Sequence, residues 1–481
     1  MNTVPDSPAV PDSLTALAAR LRGTLSTDPD VIAAYSTDES VHPGSGDALA
    51  VVRAGCVEDV ALTMQFARAR GIPVVPQGAR SGLSGGACAE HGCILLSVAS
   101  MSRILDIDEA NMTVTVEPGI INKDLKDALR PHGLAYPPDP GSVAISSIGG
   151  NIATNAGGMC CVKYGVTGEY VRELTVVLAD GTVTRLGHRT VKGVAGFDLV
   201  SLFTGSEGTL GIIVQAVLKV VALGPDPLTA LATFPAVGGA VDTVASYMST
   251  GANPSMLEMM DGLTIALLSE IGDFGFAPDP DADSDVTDAA VGAVLIMQSD
   301  SVTAADDTRA FAEVAEAHGA VDVAFADNPA DSELLVAARR SVQIANERYA
   351  ATHGGGQMID DVCVPRSRLA DFCAGVEAIR DDTRTTVALV AHAGDGNVHP
   401  SVFYDLSDAA SVAAGTDAFD RIMRLGLELG GTITGEHGVG ALKASWLPQE
   451  LDEANRRLHR RIKDAVDPTA ILNPGKMLEA L

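Results

Sequence analysis

The chain has 481 residues, 46% of them hydrophobic, so it can bury a large core and is long enough for two or three domains. A formal net charge of −29 and a pI near 4.5 would repel nucleic acid and anionic lipid, which argues against either as the main partner and leaves a globular, enzyme-sized protein. No run approaches the roughly 18 apolar residues of a membrane span, and Met1 to Arg20 lacks the basic start and apolar centre of a signal peptide, so a cytoplasmic location is expected.

Residues 1–46 read as a lead-in punctuated by Pro and Asp, with helical apolar spacing over 13–25. From 47 to 223 the pattern changes to short β-branched runs, at 50–52, 74–76, 94–98, 113–116, 174–179 and 212–221, with a helix over 57–70. This is a glycine-rich α+β domain. The junction Gly224-Pro-Asp-Pro227 leads to a second α+β region with a long helix over about 332–351 and an acidic stretch, 277–288, expected as a solvated loop. The seven cysteines contain no Cys-x-x-Cys pair and read as reduced, mostly buried thiols.

Three glycine-rich loops fall in the first domain. Pro76-Gln-Gly78-Ala-Arg80-Ser-Gly82-Leu-Ser84-Gly-Gly86 follows a strand, and its glycines would let backbone N–H groups converge on an anion such as a diphosphate. It has neither the Gly-x-Gly-x-x-Gly spacing and crossover helix of a Rossmann turn nor the Lys-Ser/Thr of a Walker loop. The second runs from Pro137-Pro-Asp139-Pro to Gly149-Gly-Asn151 and Asn155-Ala-Gly157-Gly158, and small residues there would let a flat group lie against the chain. The third is Thr204-Gly-Ser206-Glu-Gly208-Thr-Leu-Gly211-Ile212. Each alone is an ordinary turn; three in one domain point to a phosphate-bearing cofactor.

In the second region, Val390-Ala-His392-Ala-Gly-Asp-Gly-Asn-Val-His399 places two histidines about a Gly-Asp-Gly-Asn turn. A turn centred on Asp395 and Gly396 would set His392 directly opposite His399, with Cβ atoms about 5 Å apart, a spacing that suits two imidazoles on one metal ion. Thr434-Gly-Glu436-His437-Gly-Val-Gly440 offers a carboxylate as third ligand. Two His and one carboxylate leave positions open, as a catalytic metal needs. Local hydrogen bonding of these histidines, a flavin-free metallohydrolase and a 2-His-1-carboxylate oxygenase are the competing readings.

Together the motifs resemble the flavin-dependent dehydrogenases of the vanillyl-alcohol oxidase fold that oxidise D-2-hydroxy acids, which include D-lactate dehydrogenases and the D subunit of glycolate oxidase. The resemblance runs from about residue 40 to 478 and also takes in Lys163-Tyr164-Gly165 and Asn473-Pro-Gly-Lys476. It implies an α+β chain: an FAD-binding domain of the vanillyl-alcohol oxidase (PCMH) type over 47–223, an α+β cap domain with an antiparallel sheet over 224–465, and a C-terminal segment, 466–481, returning to the flavin domain. By resemblance Gly78, Ala79, Arg80, Ser81 and Gly82 would hold the FAD pyrophosphate, with Pro76, Pro138, Ser142, Gly149, Asn151, Asn155, Gly158, Glu207, Ile212 and Asn473 around the rest. Some relatives attach flavin through a histidine after the first loop; Ser84-Gly-Gly-Ala-Cys88 has none, so attachment is expected to be noncovalent. His392, His399 and Glu436 match the ligands of a divalent metal, zinc or manganese, and His437 the residue that takes the substrate hydroxyl proton. Arg339 matches a carboxylate clamp, with Arg340 and Arg348 as competitors for that assignment.

Relatives that act on D-2-hydroxyglutarate place a threonine four residues after this arginine and a lysine farther on, where this chain has Gln343 and Gln357-Met358-Ile359-Asp360. D-lactate or glycolate is therefore the favoured substrate, oxidised to the 2-oxo acid. The electron acceptor is not legible, a homodimer is left open, and a noncatalytic flavoenzyme subunit would be expected to lose the metal and proton-transfer residues that this chain keeps.

Overall fold

The computed structural model describes residues 10–41, 46–274, 276, 291–326 and 328–478; the acidic stretch 277–288 lies outside them. Among the described residues the N-terminal half builds two main sheets. Ala50–Arg53, Ile94–Ser97 and Val74–Gln77 run parallel in that spatial order, and Thr24–Ser26 adds antiparallel to the outer edge of Ala50–Arg53. Each parallel strand is apolar over its first three residues because both faces are covered there: Val52, Ile94 and Leu96 pack on helix Val57–Arg68, while Val51, Val75 and Leu95 meet Val31, Ile32 and Tyr35 of helix Pro29–Tyr35. Residues 13–25 are not one helical stretch. They divide into Leu14–Ala18 and the start of Thr24–Ser26, because the Asp59 carboxylate accepts the amides of Arg22 and Gly23 at 2.8 Å and draws the chain into the sheet.

The second sheet is antiparallel, in the order Ile104–Asp108, Thr113–Val116, Ile212–Lys219, Val171–Val177, Val183–Gly187. The run at 212–221 divides at Val220, and Val221–Ala222 turns off to pair with Leu134–Ala135. The end of the chain returns to the first sheet: the Val74 amide donates to the Ile471 carbonyl at 2.7 Å and the Asn473 amide to the Val74 carbonyl at 2.8 Å.

The C-terminal half is built on an antiparallel sheet in the order Asp322–Phe325, Leu228–Phe234, Ala293–Ser299, Met256–Asp261, Thr386–His392, Asn397–Asp405, Gly355–Ile359. Strand alternation sorts its two faces. Leu257, Met259, Val387, Leu389, Ala391, Val398 and Val402 pack with helices Val237–Ser249, Leu369–Thr383 and Ala409–Glu428. Met256, Met260, Val390 and Phe403 face the other way, toward Gly262–Ser269 and Val342–Thr352. By the same parity Glu258, His392 and His399 lie on this second face. The helix expected over 332–351 is two helices, Pro329–Arg340 and Val342–Thr352, interrupted at Ser341, whose hydroxyl bonds back to the Ala337 carbonyl at 2.8 Å. No helix among the described residues is long and apolar enough to cross a membrane.

Candidate active site

The hairpin closes one residue earlier than its Gly-Asp-Gly-Asn sequence suggests. His392 lies opposite Asn397 and His399 opposite Val390, so the turn is centred between Gly394 and Asp395. The amides of Asp395 and Gly396 both donate to the His392 carbonyl, at 3.3 and 3.1 Å. Gly396 has φ of +87°, and a Cβ there would lie 2.2 Å from the Val364 carbonyl oxygen, so only glycine fits. The two histidines are therefore diagonal neighbours, not directly opposed. They still share a face, and their rings meet edge-on with centroids 5.1 Å apart.

Glu436 completes the group. Its Oε1 lies 3.0 Å from His392 Nε2 and 3.2 Å from His399 Nε2, and one ligand atom from each of the three residues falls within 4.8 Å of the others. Asp361 holds the loop that presents it: Oδ2 accepts the amides of Glu436 and His437 at 3.0 and 2.8 Å and the Thr434 hydroxyl at 2.8 Å. Burial works against an ionised Asp361, but His437, Lys443 and His399 outweigh it and keep the carboxyl below its ordinary range. Burial also opposes charge on His392 and Glu436. Glu258 and Glu436 nevertheless pull the His392 imidazole well above its usual value, and His392 with His399 holds Glu436 well below. His437 moves the other way: burial pushes it down to about 4 against the pull of Asp361, so the ring is neutral at neutral pH and able to accept a proton.

Two imidazoles and a carboxylate at this spacing fit a divalent cation that takes nitrogen and oxygen ligands, such as zinc or manganese. Asp361, His399 and His437 form a second grouping of the same span. Asp361 has no exposed side-chain surface and does not line the cavity onto which these groups open, whereas Glu436 does, so the set with Glu436 is the better cation site.

Two carboxylates here, Asp361 and Glu258, were not among the residues singled out in the sequence. Glu258 lies directly across from His392 on the neighbouring strand. Its oxygens are 2.8 and 2.9 Å from His392 Nδ1, and Oε2 accepts Arg339 Nε at 2.6 Å. Arg339 is thereby held beside the histidines. Arg340 instead binds Asp139 at 3.1 Å and Glu333 at 3.3 Å, and Arg348 donates to the Glu270 carbonyl at 3.0 Å on the outside.

These groups open on a cavity of ≈560 Å³ between the two halves of the chain, within the roughly 300–1,000 Å³ range of small-molecule sites. Pro76, Gly78, Ala79, Arg80, Ser81, Gly82, Ser142, Gly149, Asn151, Glu207 and Ile212 line it, as do Arg339, His392, His399, Glu436 and His437. The Arg80 guanidinium turns away to the carbonyls of Ala34 and Thr37, at 2.6 and 3.3 Å, so this residue offers the cavity its backbone. Ser147 joins the first two loops, accepting the Ala79 amide at 3.2 Å and the Gly150 amide at 3.4 Å. Glu207 joins the third loop to the cap, its carboxylate accepting the amides of Val439 and Gly440 at 2.7 Å each.

Four residues expected around the cofactor do not line the cavity: Pro138, Asn155, Gly158 and Asn473. Pro138 is buried, with its carbonyl toward Asn122 Nδ2 at 3.4 Å. Asn155 ends helix Ile148–Thr154 in the left-handed conformation and accepts the Gly168 amide at 2.8 Å. Gly158 packs on the Asp139 carbonyl, where a Cβ would come within 2.0 Å. The Asn473 amide ties the carbonyls of Gly86 and Glu207 together, at 3.1 and 2.7 Å. In these contacts the four residues shape the loops around the cavity.

Residues 48–187 match an FAD binding domain, and residues 226–477 match the C-terminal domain of FAD linked oxidases. The chain is 36% identical over 430 residues to glycolate oxidase subunit GlcD of Bacillus subtilis, covering 89% of this chain and 88% of that protein. It is 32% identical over 449 residues to a D-lactate dehydrogenase of Anaerostipes hadrus, covering 92% of each. Among solved structures, 4-ethylphenol oxidase from Gulosibacter chungangensis superposes with a TM-score of 0.72 at 22% identity over 94% of both chains. p-Cresol methylhydroxylase superposes with a TM-score of 0.75 at 17% identity over 94% of this chain and 93% of the other. At those identities the superpositions speak for the fold alone, which is the α+β fold of the vanillyl-alcohol oxidase (PCMH) type.

Proposed function

Because the chain belongs to the FAD-linked oxidases, we propose that it is an FAD- and divalent-cation-dependent dehydrogenase that oxidises a small 2-hydroxy acid, D-lactate or glycolate, to the 2-oxo acid. The observation that carries this reading is the convergence of His392, His399, Glu436, His437 and Arg339 on the cavity lined by the three glycine-rich loops. Bound FAD would take the hydride from the substrate's Cα, and a bound divalent cation would acidify its hydroxyl. His392 Nε2, His399 Nε2 and Glu436 Oε1 are the atoms that would hold the cation. Arg339 orients the substrate through its carboxylate, a task suited to a guanidinium fork. His437 is the base: its neutral ring accepts the hydroxyl proton at Nε2, the nitrogen that faces Glu436 at 3.9 Å.

Three features favour a monocarboxylate. Arg340 is engaged by Asp139 and Glu333, Arg348 by a main-chain carbonyl, and Gln343 by Glu347 at 2.8 Å. A second substrate carboxylate would have to displace one of these pairs. FAD is expected to be held noncovalently, since the three histidines lining the cavity all belong to the cation and proton-transfer set.

The test is anaerobic mixing of the purified holoprotein with glycolate, D-lactate, L-lactate and D-2-hydroxyglutarate, followed by the flavin's visible absorbance. Bleaching by D-lactate or glycolate, and not by L-lactate, is the expected result. Bleaching fastest with the dicarboxylate would overturn the substrate assignment, and a colourless protein that cannot be reconstituted with FAD would overturn the reading as a whole.

A further inference from the structure

Glu258 sits in the middle of Met256–Asp261, a strand buried along its whole length, and its own side chain has no exposure. A carboxylate in such a place must be paired, and this one is paired twice. It accepts from His392 Nδ1 at 2.8 and 2.9 Å and from Arg339 Nε at 2.6 Å. Because a carboxylate only accepts, the facing nitrogen of His392 carries a proton, and Nε2 on the opposite side of the ring is the atom turned to Glu436 and the cation position. On Arg339 the contact uses Nε alone. Nη1 and Nη2 have no hydrogen-bond partner among the described residues, and Arg339 lines the cavity, so the end of its fork remains available to a ligand carboxylate.

We infer that Glu258 is a positioning residue that couples the cation site to the substrate's carboxylate clamp, setting the ring angle and tautomer of His392 and the direction of the Arg339 fork through one side chain. The inference rests on the reading of the site as a cation-dependent dehydrogenase. His392 comes from the hairpin and Arg339 from the end of helix Pro329–Arg340, and Glu258 is the group that bonds to both. A change at Glu258 must therefore disturb cation and substrate binding together, which a residue needed only for packing would not do.

The test is a titration of metal-depleted holoprotein with Zn²⁺ in competition with a chromophoric chelator, set beside steady-state kinetics. Glu258→Gln keeps the size of the side chain but offers one acceptor oxygen to two donors and turns an NH₂ toward one of them. Its Zn²⁺ affinity is expected to fall about 10–100-fold and its KM to rise, with the FAD-to-protein ratio unchanged. Arg339→Lys is expected to raise KM and leave Zn²⁺ affinity at the wild-type value. Glu258→Asp, which keeps the charge but withdraws it by one methylene, should fall between wild type and Glu258→Gln, and it decides the matter in the same way if Glu258→Gln does not fold. Wild-type Zn²⁺ affinity or wild-type KM in the Glu258 variants overturns the inference. A wild-type protein that binds neither Zn²⁺ nor Mn²⁺ overturns the parent reading, and that outcome is visible before any variant is made.

Discussion

Gly157 offers a way to move one proposed ligand without touching any ligand's own side chain. It lies on the second glycine-rich loop with its Cα toward Glu436, and a Cβ built there would sit 2.5 Å from Glu436 Oε2, 3.0 Å from Glu436 Cβ and 3.3 Å from Cys161 Sγ. Ordinary contact begins at 3.4 Å, so in Gly157→Ala the carboxylate must withdraw by about 0.9 Å, with Glu436 Cβ giving way by about 0.4 Å and Cys161 Sγ by about 0.1 Å. A side-chain terminus can do that at small conformational cost, and the gain of about 0.4–1 kcal/mol from a stiffer unfolded chain works in the opposite direction. Global stability should therefore change by less than about 1 kcal/mol. A cation site has no such latitude, since its bond lengths hold to roughly ±0.2 Å. The expected outcome is a protein with full FAD content and a nearly unchanged melting temperature, but with Zn²⁺ affinity lowered about 10–100-fold and turnover lowered with it. Gly238→Ala, whose Cβ would meet nothing within 4 Å, is the control. Chelator competition, flavin quantitation and thermal unfolding on the same preparations decide it. If Gly157→Ala binds Zn²⁺ as tightly as wild type does, Glu436 does not hold the cation and the proposed ligand set fails.

His437→Asn should retain FAD and metal but reduce its flavin more slowly, by about 10²–10⁴-fold, in stopped-flow mixing with the active hydroxy acid. Because burial lowers the ring's pKa to about 4, and the neutral ring is the competent base, wild-type reduction should be full above that value and lost as pH falls through it. The Asn variant should lack this limb, and a wild-type limb centred at the ordinary histidine value would contradict the burial argument. Acid precipitation should release all the flavin into the supernatant, whereas flavin left in the pellet would show a covalent bond. Glu207→Gln leaves one oxygen where the carboxylate accepts two buried amides at 2.7 Å. It should destabilise the holoprotein by about 1.5–3 kcal/mol in denaturant titration; an unchanged midpoint would mean that this tie between the third loop and the cap contributes little.

What the sequence reveals of this site depends on how far apart the cooperating residues lie along the chain. The parallel strands are legible at 50–52, 74–76 and 94–98 because burial on both faces leaves unbroken apolar runs, and the hairpin is legible from its Gly-Asp-Gly-Asn turn. The turn's exact centre is not, because Gly396 there packs against the Val364 carbonyl, a contact from a segment about thirty residues earlier in the chain. The error is harmless for a reason. Moving the centre of a hairpin by one whole residue changes the pairing by two, and since side chains alternate with period two, His392 and His399 keep a common face. A shift of half a residue would have sent one of them to the opposite helix layer and destroyed the site. Glu258 and Asp361 are harder to see, because their partners lie 134 and 75 positions away along the chain. The local sequence around Glu258 still carries a clue. In Met256-Leu-Glu-Met-Met260 a single carboxylate interrupts a run with no polar face to give it, so it either spoils a strand or belongs to a buried pair. Once the strand order puts Met256–Asp261 beside Thr386–His392, the pair is identified as well, for His392 is the polar side chain directly across from it.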